Sequence, residues 1–170
     1  MSFEFSIRSA TANDASAYTR IETDAYSSDL QEPSEVFQAK MGLFPSGCKM
    51  VDVGSTSVAF LLSHPWTYED PPKLNSKESG LPAFSDVFFI HSLTVMKAYQ
   101  KRGLGSALAK AAIELGQRHG FSRFTLISVQ DSISFWQRFG FESVERLPES
   151  VWKVLVSYGN SAKFMIGRFG

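Results

Sequence analysis

Residues 87–106 read VFFIHSLTVMKAYQKRGLGS and combine a strand, a turn and the start of a helix. The first nine residues are rich in Val, Phe, Ile and Leu, which is typical of a central, buried strand. Glycines follow at positions 103 and 105, and an apolar stripe at helical spacing then runs to about Gly120. This order is typical of a phosphate-binding loop, because the first amides of a helix are unpaired and glycine lets a pyrophosphate approach them.

Two other phosphate-binding motifs do not fit this segment. A Rossmann fingerprint requires a third glycine, which is absent, and a P-loop requires Gly-Lys-Ser/Thr. The alternative that remains is structural, since Gly103 and Gly105 can simply form a tight turn between strand and helix.

The rest of the sequence predicts an α/β (α+β) fold in one domain that spans residues 1–170. The predicted strands cover residues 3–8, 48–53, 57–64, 86–95, 124–129, 141–146 and 162–169. The predicted helices cover residues 14–26, 33–41, 104–120 and 131–139, and a long proline-rich loop covers 65–82. In the first strand, alternation predicts that Phe3, Phe5 and Ile7 share a buried face.

Composition and charge exclude several classes of protein. The chain has 17 Lys and Arg against 17 Asp and Glu, so it lacks the positive charge with which proteins bind nucleic acids. One cysteine and three histidines form no metal-ligand pattern, so we expect no metal. The longest apolar run, Val58 to Leu62, is far too short to span a bilayer. We therefore expect a cytoplasmic protein without a membrane partner, either a monomer or a homodimer.

Two motifs resemble those of a known superfamily. Gln100-Lys-Arg-Gly-Leu-Gly105 matches the Gln/Arg-x-x-Gly-x-Gly/Ala loop of the GNAT acetyl-CoA-dependent N-acetyltransferases, and Phe135-Trp-Gln-Arg-Phe-Gly-Phe141 resembles their second signature. The resemblance implies a GNAT fold, with a mixed, mostly antiparallel sheet of about seven strands and about four helices, splayed where acetyl-CoA binds. Within the superfamily, residues 90–95, 58–61 and 159–165 most resemble the arylalkylamine N-acetyltransferases.

The resemblance also assigns the residues that bind the cofactor. The backbone of Leu93 and Val95 would hold the pantetheine arm as an added strand, and residues 101–106 would surround the pyrophosphate. The full set of cofactor-binding residues is Leu93, Thr94, Val95, Gln100, Lys101, Arg102, Gly103, Leu104, Gly105 and Ser106.

Two positions carry the catalytic assignments. His91 is the remaining member of a histidine pair that relays a proton in the family, since Phe89 stands at the other position. An imidazole can accept a proton at neutral pH, although a lone strand histidine can also be a buried core residue. Trp136 stands where these enzymes have a tyrosine acid, and an indole cannot act as an acid there. Tyr158 and Tyr26 are the candidate substitutes, and Trp136 can alternatively serve only in packing.

The acceptor remains open between two classes of amine. Five acids and no Lys or Arg lie between residues 21 and 39, and two adjacent acids lie early in the long loop, which favours polyamines or a peptide amino group. They are Glu22, Asp24, Asp29, Glu32, Glu35, Glu69 and Asp70. Aromatic residues favour a small arylalkylamine instead, and these are Tyr26, Phe37, Phe44 and Trp66. A third possibility is a catalytically weak acyl-CoA-binding module, because Phe89 and Trp136 replace two proton carriers.

Overall fold

The computed structural model describes residues 2–170, and these form seven strands and five α-helices. The strands are β1 (Ser6–Ser9), β2 (Cys48–Val53), β3 (Thr56–Trp66), β4 (Val87–Val95), β5 (Arg123–Ser128), β6 (Glu142–Ser143) and β7 (Lys163–Arg168). The helices are α1 (Ala15–Ala25), α2 (Ser34–Leu43), α3 (Leu104–Arg118), α4 (Ile133–Gln137) and α5 (Glu149–Val156). The predicted α/β class is confirmed.

All seven strands belong to one sheet, in the order β1-β2-β3-β4-β5-β7-β6. Every neighbouring pair is antiparallel except β4 and β5, which are parallel. The crossover that parallel strands require is α3, which joins the end of β4 to the start of β5. The prediction of a mixed, mostly antiparallel sheet is therefore confirmed.

The helices cover both faces of the sheet. On one face Leu104, Leu108 and Ala112 of α3 belong to a buried cluster with Phe88 and Phe124 of the central strands. On the other face α1 and α2 bury a second cluster, whose members are Tyr18, Ile21, Phe37, Cys48, Met50, Phe60 and Leu62. Burying one large apolar side chain such as Leu or Phe stabilises the fold by about 1.5–3 kcal/mol compared with leaving that side chain exposed to water.

The sequence analysis missed α5 and predicted four helices instead of five. The signal was present, because Val151, Val154 and Leu155 are buried at helical spacing and Glu149 lies in the first turn after Pro148. The helix is short, and three buried apolar residues are too few to distinguish helical spacing from an irregular apolar segment.

Several predicted boundaries were wrong. The first strand begins at Ser6 rather than at residue 3, and Ile7 is 37% exposed because β1 is an edge strand. Phe3 and Phe5 precede the strand and pack, half-buried, against the core. The third strand continues to Trp66, because Pro65 and Trp66 still pair with β4, so the loop begins later.

The segment from 131 to 146 is also less regular than predicted. The helix covers only Ile133–Gln137, and the following strand only Glu142–Ser143. Gln130 and Asp131 adopt left-handed backbone angles, and this conformation delays the start of the helix.

Candidate active site

A cavity of about 740 Å³ opens where β4 and β5 separate. The two strands pair only at Phe88–Ile90 and Phe124–Leu126, although β4 continues to Val95. Beyond Ile90 the neighbouring edges are unpaired, and the gap between them is the cavity. The predicted splaying of the sheet is thus confirmed.

The backbone of β4 presents free groups to this gap. Across the β3–β4 ladder, the Met96 N–H donates to the Val58 carbonyl at 2.9 Å. Because successive residues of an antiparallel strand turn their polar groups to opposite sides, Leu93 and Val95 turn theirs toward the gap. The side chain of Gln100 already donates to the Val95 carbonyl at 3.2 Å. An extended ligand can therefore pair with β4 as an added strand.

The first turn of α3 closes one end of the cavity with free amides. The first N–H bonded within the helix is that of Ala107, which donates to the Gly103 carbonyl at 3.0 Å. The preceding amides of residues 104–106 have no acceptor within the helix, and the positive end of the helix dipole lies there. Gly103 has a φ of 89°, a left-handed angle at which a side chain is strained. This end of the cavity suits a phosphate group.

Gly105 allows close contact with α4. A Cβ atom at Gly105 would lie 3.3 Å from Cε2 of Phe135 and 3.8 Å from Cδ2 of Leu93. The motif glycines therefore act differently, since Gly103 permits the turn and Gly105 permits close packing.

Most of the predicted cofactor-binding residues line the cavity. They are Leu93, Thr94, Val95, Gln100, Lys101, Gly103, Gly105 and Ser106. Two predicted residues do not line it. The Leu104 side chain is in the hydrophobic core, and the Arg102 guanidinium stacks on Phe3 with its central carbon 4.9 Å from the ring centre. Arg138, which the sequence analysis did not single out, lines the cavity instead.

A β-bulge positions His91. The register pairs Leu62 with Ser92 but Ser63 with Ile90, so His91 is the extra residue on β4. Bulges redirect the side chain of the extra residue. Here the bulge brings His91 to the side of the sheet covered by α1 and α2, where its Nε2 lies 2.7 Å from Oε1 of Glu32. His91 lines the cavity although its imidazole is buried, and its Nδ1 atom has no hydrogen-bond partner among residues 2–170.

Glu32 is the residue that sequence reasoning missed as a potential proton acceptor. Its second oxygen, Oε2, accepts the Asn75 N–H at 2.8 Å, and its own N–H donates to Oε2 of Glu22 at 3.0 Å. Burial alone would raise the pKa of Glu32, but His91, the Asn75 amide and Lys40 together hold it below its ordinary value. Glu32 was recognised as a potential proton acceptor only through its contact with His91, and no residue near Glu32 in the sequence indicates that contact.

Comparison with known proteins identifies the family. A model of the acetyltransferase (GNAT) family matches residues 15–141, which include both glycine motifs and His91. The chain belongs to the GNAT acetyltransferase family. GNAT acetyltransferases use acetyl-CoA as donor, and this chain is accordingly an acetyl-CoA-dependent N-acetyltransferase. No curated protein sequence matches it at a significant level.

Solved structures share the fold at low sequence identity. The GphF GNAT-like decarboxylase in complex with isobutyryl-CoA has a TM-score of 0.80 at 13% identity, with 96% of this chain and 98% of that chain covered. Ard1 from Thermoplasma volcanium has a TM-score of 0.71 at 18% identity, with 98% of both chains covered. The ribosomal-protein-S18-alanine N-acetyltransferase from Escherichia coli has a TM-score of 0.69 at 17% identity, with 98% and 95% covered.

The cavity of this GNAT protein fits acetyl-CoA. The free amides of residues 104–106 and the ammonium of Lys101 can hold the pyrophosphate, and the backbone of Leu93 and Val95 can hold the pantetheine arm. Within residues 2–170, no group of three or more His, Cys, Asp or Glu residues could bind a metal ion. In the same range, no helix has the length and apolar character needed to cross a membrane.

Trp136 of the GNAT signature is part of the core as well as of the cavity wall. It is 6% exposed and packs edge-on against Phe135 and Phe141, with ring centres 5.0 and 5.4 Å away. The packing alternative for this residue is therefore well supported, and the position still borders the cavity.

The two candidate tyrosine donors both line the cavity. Tyr158 is buried and its hydroxyl donates to the Pro72 carbonyl at 2.8 Å, so its proton is already engaged. The Tyr26 hydroxyl lies 3.0 Å from that of Thr94, which in turn lies 3.0 Å from that of Ser92. Burial raises the pKa of Tyr26 to about 12 and that of Tyr158 well above its ordinary value. Both phenols are neutral donors at physiological pH.

Only some of the predicted acceptor residues reach the cavity of this GNAT protein. Among the seven acids, Glu22 and Glu32 line it, and among the four aromatic residues only Tyr26 does. Phe37 is fully buried beneath Tyr18, and the Trp66 indole donates to the Asp70 carbonyl. Leu30, Leu74 and Tyr158 also line the cavity.

Proposed function

We propose that this enzyme acetylates a small primary amine of the arylalkylamine type. The observation that carries the proposal is the acceptor end of the cavity, where the buried Glu32–His91 pair lies among Tyr26, Leu30 and Leu74. A carboxylate attracts an ammonium group, and the tyrosine and leucine side chains provide an apolar surface for the body of the amine.

The charge of this end supports a monoamine over a polyamine. This end contains the carboxyl groups of Glu22 and Glu32, and the Glu32 carboxylate already contacts His91. Burial raises the pKa of the other, Glu22, to about 8, so it is largely neutral at pH 7. A polyamine would leave further ammonium groups without carboxylate partners, and burying such groups is unfavourable.

We assign the removal of the amine proton to Glu32. An alkylamine with a pKa near 10 is only about 0.1% neutral at pH 7, so a nearby base is required. Acetyl-CoA, when bound, supplies a thioester carbonyl, to which the amine nitrogen bonds as the C–S bond breaks. The Glu32 carboxylate accepts the proton from that nitrogen, and the buried His91 acts behind it as a positioning residue.

We assign the stabilisation of the leaving thiolate to Tyr26. Its hydroxyl proton is free when Ser92 donates to Thr94 and Thr94 donates to Tyr26, a direction that gives Ser92 and Thr94 one acceptor each. The proton of Tyr158 is instead held by the Pro72 carbonyl. Tyr26 therefore replaces the tyrosine that the family has at the position of Trp136.

Release of CoA with a panel of amines tests the proposal. The panel contains tryptamine, phenethylamine, putrescine, spermidine and a peptide with a free amino group, and binding of acetyl-CoA is measured in parallel by calorimetry. The expected result is the highest kcat/KM for the arylalkylamines. A higher value for spermidine or the peptide would overturn the acceptor assignment, and tight binding without turnover would favour the acyl-CoA-binding module.

Malonyl-CoA without an amine is a further arm of this experiment, because the structurally similar GphF is described as a decarboxylase. We expect no release of CO₂ from malonyl-CoA.

The proposal includes a cytoplasmic location. The buried free thiol of Cys48 is compatible with a reducing compartment.

A further inference from the structure

We propose that Lys40 and Glu78 form a buried ion pair that positions the Glu32 carboxylate for the acceptor amine. The inference rests on the proposed function, because Glu32 is the proton acceptor there. Lys40 lies on α2 and Glu78 in the loop between β3 and β4, and neither residue lines the cavity. Their role is therefore to fix the loop that binds Glu32.

The ion pair is buried and its geometry is tight. Nζ of Lys40 lies 2.6 Å from Oε2 of Glu78, and the two side chains are 0% and 13% exposed. Burial alone would raise the pKa of Glu78, but the hydrogen bond and charge of Lys40 hold it below its ordinary value. An unpaired buried ammonium is strongly unfavourable, so Lys40 ties this part of the loop to α2.

A compact turn connects the ion pair to Glu32. The Ser76 hydroxyl lies within hydrogen-bond distance of both the Glu78 carboxylate and the Lys73 carbonyl, and the Ser76 N–H donates to the Lys73 carbonyl. Asn75 occupies the left-handed region with a φ of 66°, which asparagine tolerates better than most residues. In this conformation the Asn75 N–H donates to Glu32 at 2.8 Å. The position of this donor is therefore set by Glu78, three residues further along the chain.

The rest of the loop is held independently. Its 72–74 part is attached to the C-terminal end of α5, where the Tyr158 hydroxyl donates to Pro72 and the Leu74 N–H donates to Ser157. Loss of the Lys40–Glu78 pair therefore frees the turn around Asn75 and leaves the loop attached. The expected defect is local to Glu32 and the cavity wall beside it.

The charge of Glu32 depends on several groups besides this turn. His91 from β4 and Lys40 from α2 favour its ionised form, whereas Glu22 from α1 repels it. The other titratable groups that interact with it are Tyr18, Tyr26 and Tyr158.

The test replaces both partners, so that no buried charge is left unpaired. In the double variant Lys40→Met with Glu78→Leu, the new apolar side chains have volumes similar to those of the side chains that they replace. Replacing a buried ion pair in this way is often neutral for stability. The matched control is Lys153→Met with Glu149→Leu, which removes an exposed ion pair of the same residue types on α5. Thermal unfolding of both double variants establishes that they fold.

The readout is the pH profile of kcat/KM for the amine. In the Lys40/Glu78 variant we expect about a tenfold loss of kcat/KM, since a misplaced catalytic group is costly. The acidic limb moves to higher pH, because the Asn75 amide and Lys40 no longer stabilise the Glu32 carboxylate. The KM for acetyl-CoA is unchanged. A folded variant with the acidic limb and amine KM of the wild type would overturn the inference.

A second measurement separates this inference from the proposed function. In protein labelled with ¹³C at the glutamate carboxyls, the Glu32 resonance is identified by its loss in Glu32→Gln, and its titration is followed by NMR without any substrate. A higher titration midpoint together with loss of hydrogen-exchange protection at the Asn75 amide in the Lys40/Glu78 variant supports the positioning role even if no amine is acetylated, whereas a higher midpoint with the Asn75 amide still protected reports only the lost charge of Lys40 and contradicts it. An unchanged midpoint contradicts it, whatever the substrate of the enzyme.

Discussion

Glu32 and His91 are 59 residues apart in the sequence, and their side chains form a buried pair with Oε1 and Nε2 separated by 2.7 Å. The β-bulge at His91 and the segment between α1 and α2 create this contact together. It adds Glu32 to the expected mechanism, since both residues line the cavity and their side chains are 5% exposed for Glu32 and 0% exposed for His91. We assign the contact with the substrate to the carboxylate, the more exposed member of the pair.

Replacement of the Glu32 carboxylate removes the proposed proton acceptor. Glu32→Gln lowers kcat/KM for the amine by about 10²-fold, the lower end of the range for general base catalysis. The KM for acetyl-CoA is unchanged, because the cofactor contacts lie on β4 and α3. Steady-state kinetics measure both constants. Asp29→Asn, an exposed change in the same segment, is the control, and equal kinetics for the two variants would refute the role of Glu32.

The left-handed angle of Gly103 makes a specific prediction about acetyl-CoA. Gly103→Ala and Gly54→Ala each introduce a Cβ at a positive φ, 89° and 59° respectively, with no atom within 4 Å. Each costs about 1–2 kcal/mol of strain. Only Gly103→Ala raises the KM for acetyl-CoA, by about tenfold or more, since one misdirected charge-assisted amide contact costs roughly 1.5–3 kcal/mol. If the Gly54 variant raises it equally, strain rather than the phosphate site is responsible.

The position of Trp136 predicts a gain of rate. In a Tyr26→Phe background, which lacks the proposed donor, Trp136→Tyr places a phenol where the family has its acid, and we expect the rate of CoA release to rise by about tenfold or more. Rapid-quench measurement of CoA release reports this step. Trp136→Phe loses similar packing against Phe135 and Phe141 but gains no hydroxyl, so it controls for the altered core. No gain from tyrosine in this background would show that a phenol at position 136 does not serve the leaving thiolate.

Glu22 predicts how stability depends on pH. Burial raises its pKa from 4.5 to about 8, so the unfolded chain loses this proton at lower pH than the folded protein does. The contribution of Glu22 to the free energy of unfolding is complete below about pH 4.5 and is lost as the pH rises through about 8. Each pH unit in that window changes the free energy of unfolding by up to about 1.4 kcal/mol.

Glu22→Gln removes this titration while the new amide oxygen can still accept the Glu32 N–H. The difference in Tm between wild type and variant therefore changes steadily from pH 5 to 8, in favour of the variant at higher pH. The exposed Glu35→Gln on α2 is the control. Parallel Tm curves for wild type and Glu22→Gln would show that Glu22 ionises normally.

Motif-level features could be predicted because they depend on neighbours in the sequence. The buried β4, the turn with Gly103 and Gly105, and the amphipathic α3 follow from composition, glycine geometry and helical spacing. Local patterns gave a wrong prediction at two strands. Ile7 follows the alternation of a buried face but is exposed, because β1 is an edge strand. The predicted strand over 141–146 is limited to Glu142–Ser143, because only these two residues pair with β7.

The sequence by itself determined the fold class and the glycine turn with free helix amides at one end of the cavity, because backbone angles and free helix amides are properties of short segments. Only the tertiary structure decided which acids and tyrosines meet His91. A single extra residue in the β3–β4 register turns His91 toward Glu32, and the buried Lys40–Glu78 pair brings Asn75 to the same carboxylate. Such contacts join segments far apart in the chain and depend on packing, so no pattern among neighbouring residues encodes them.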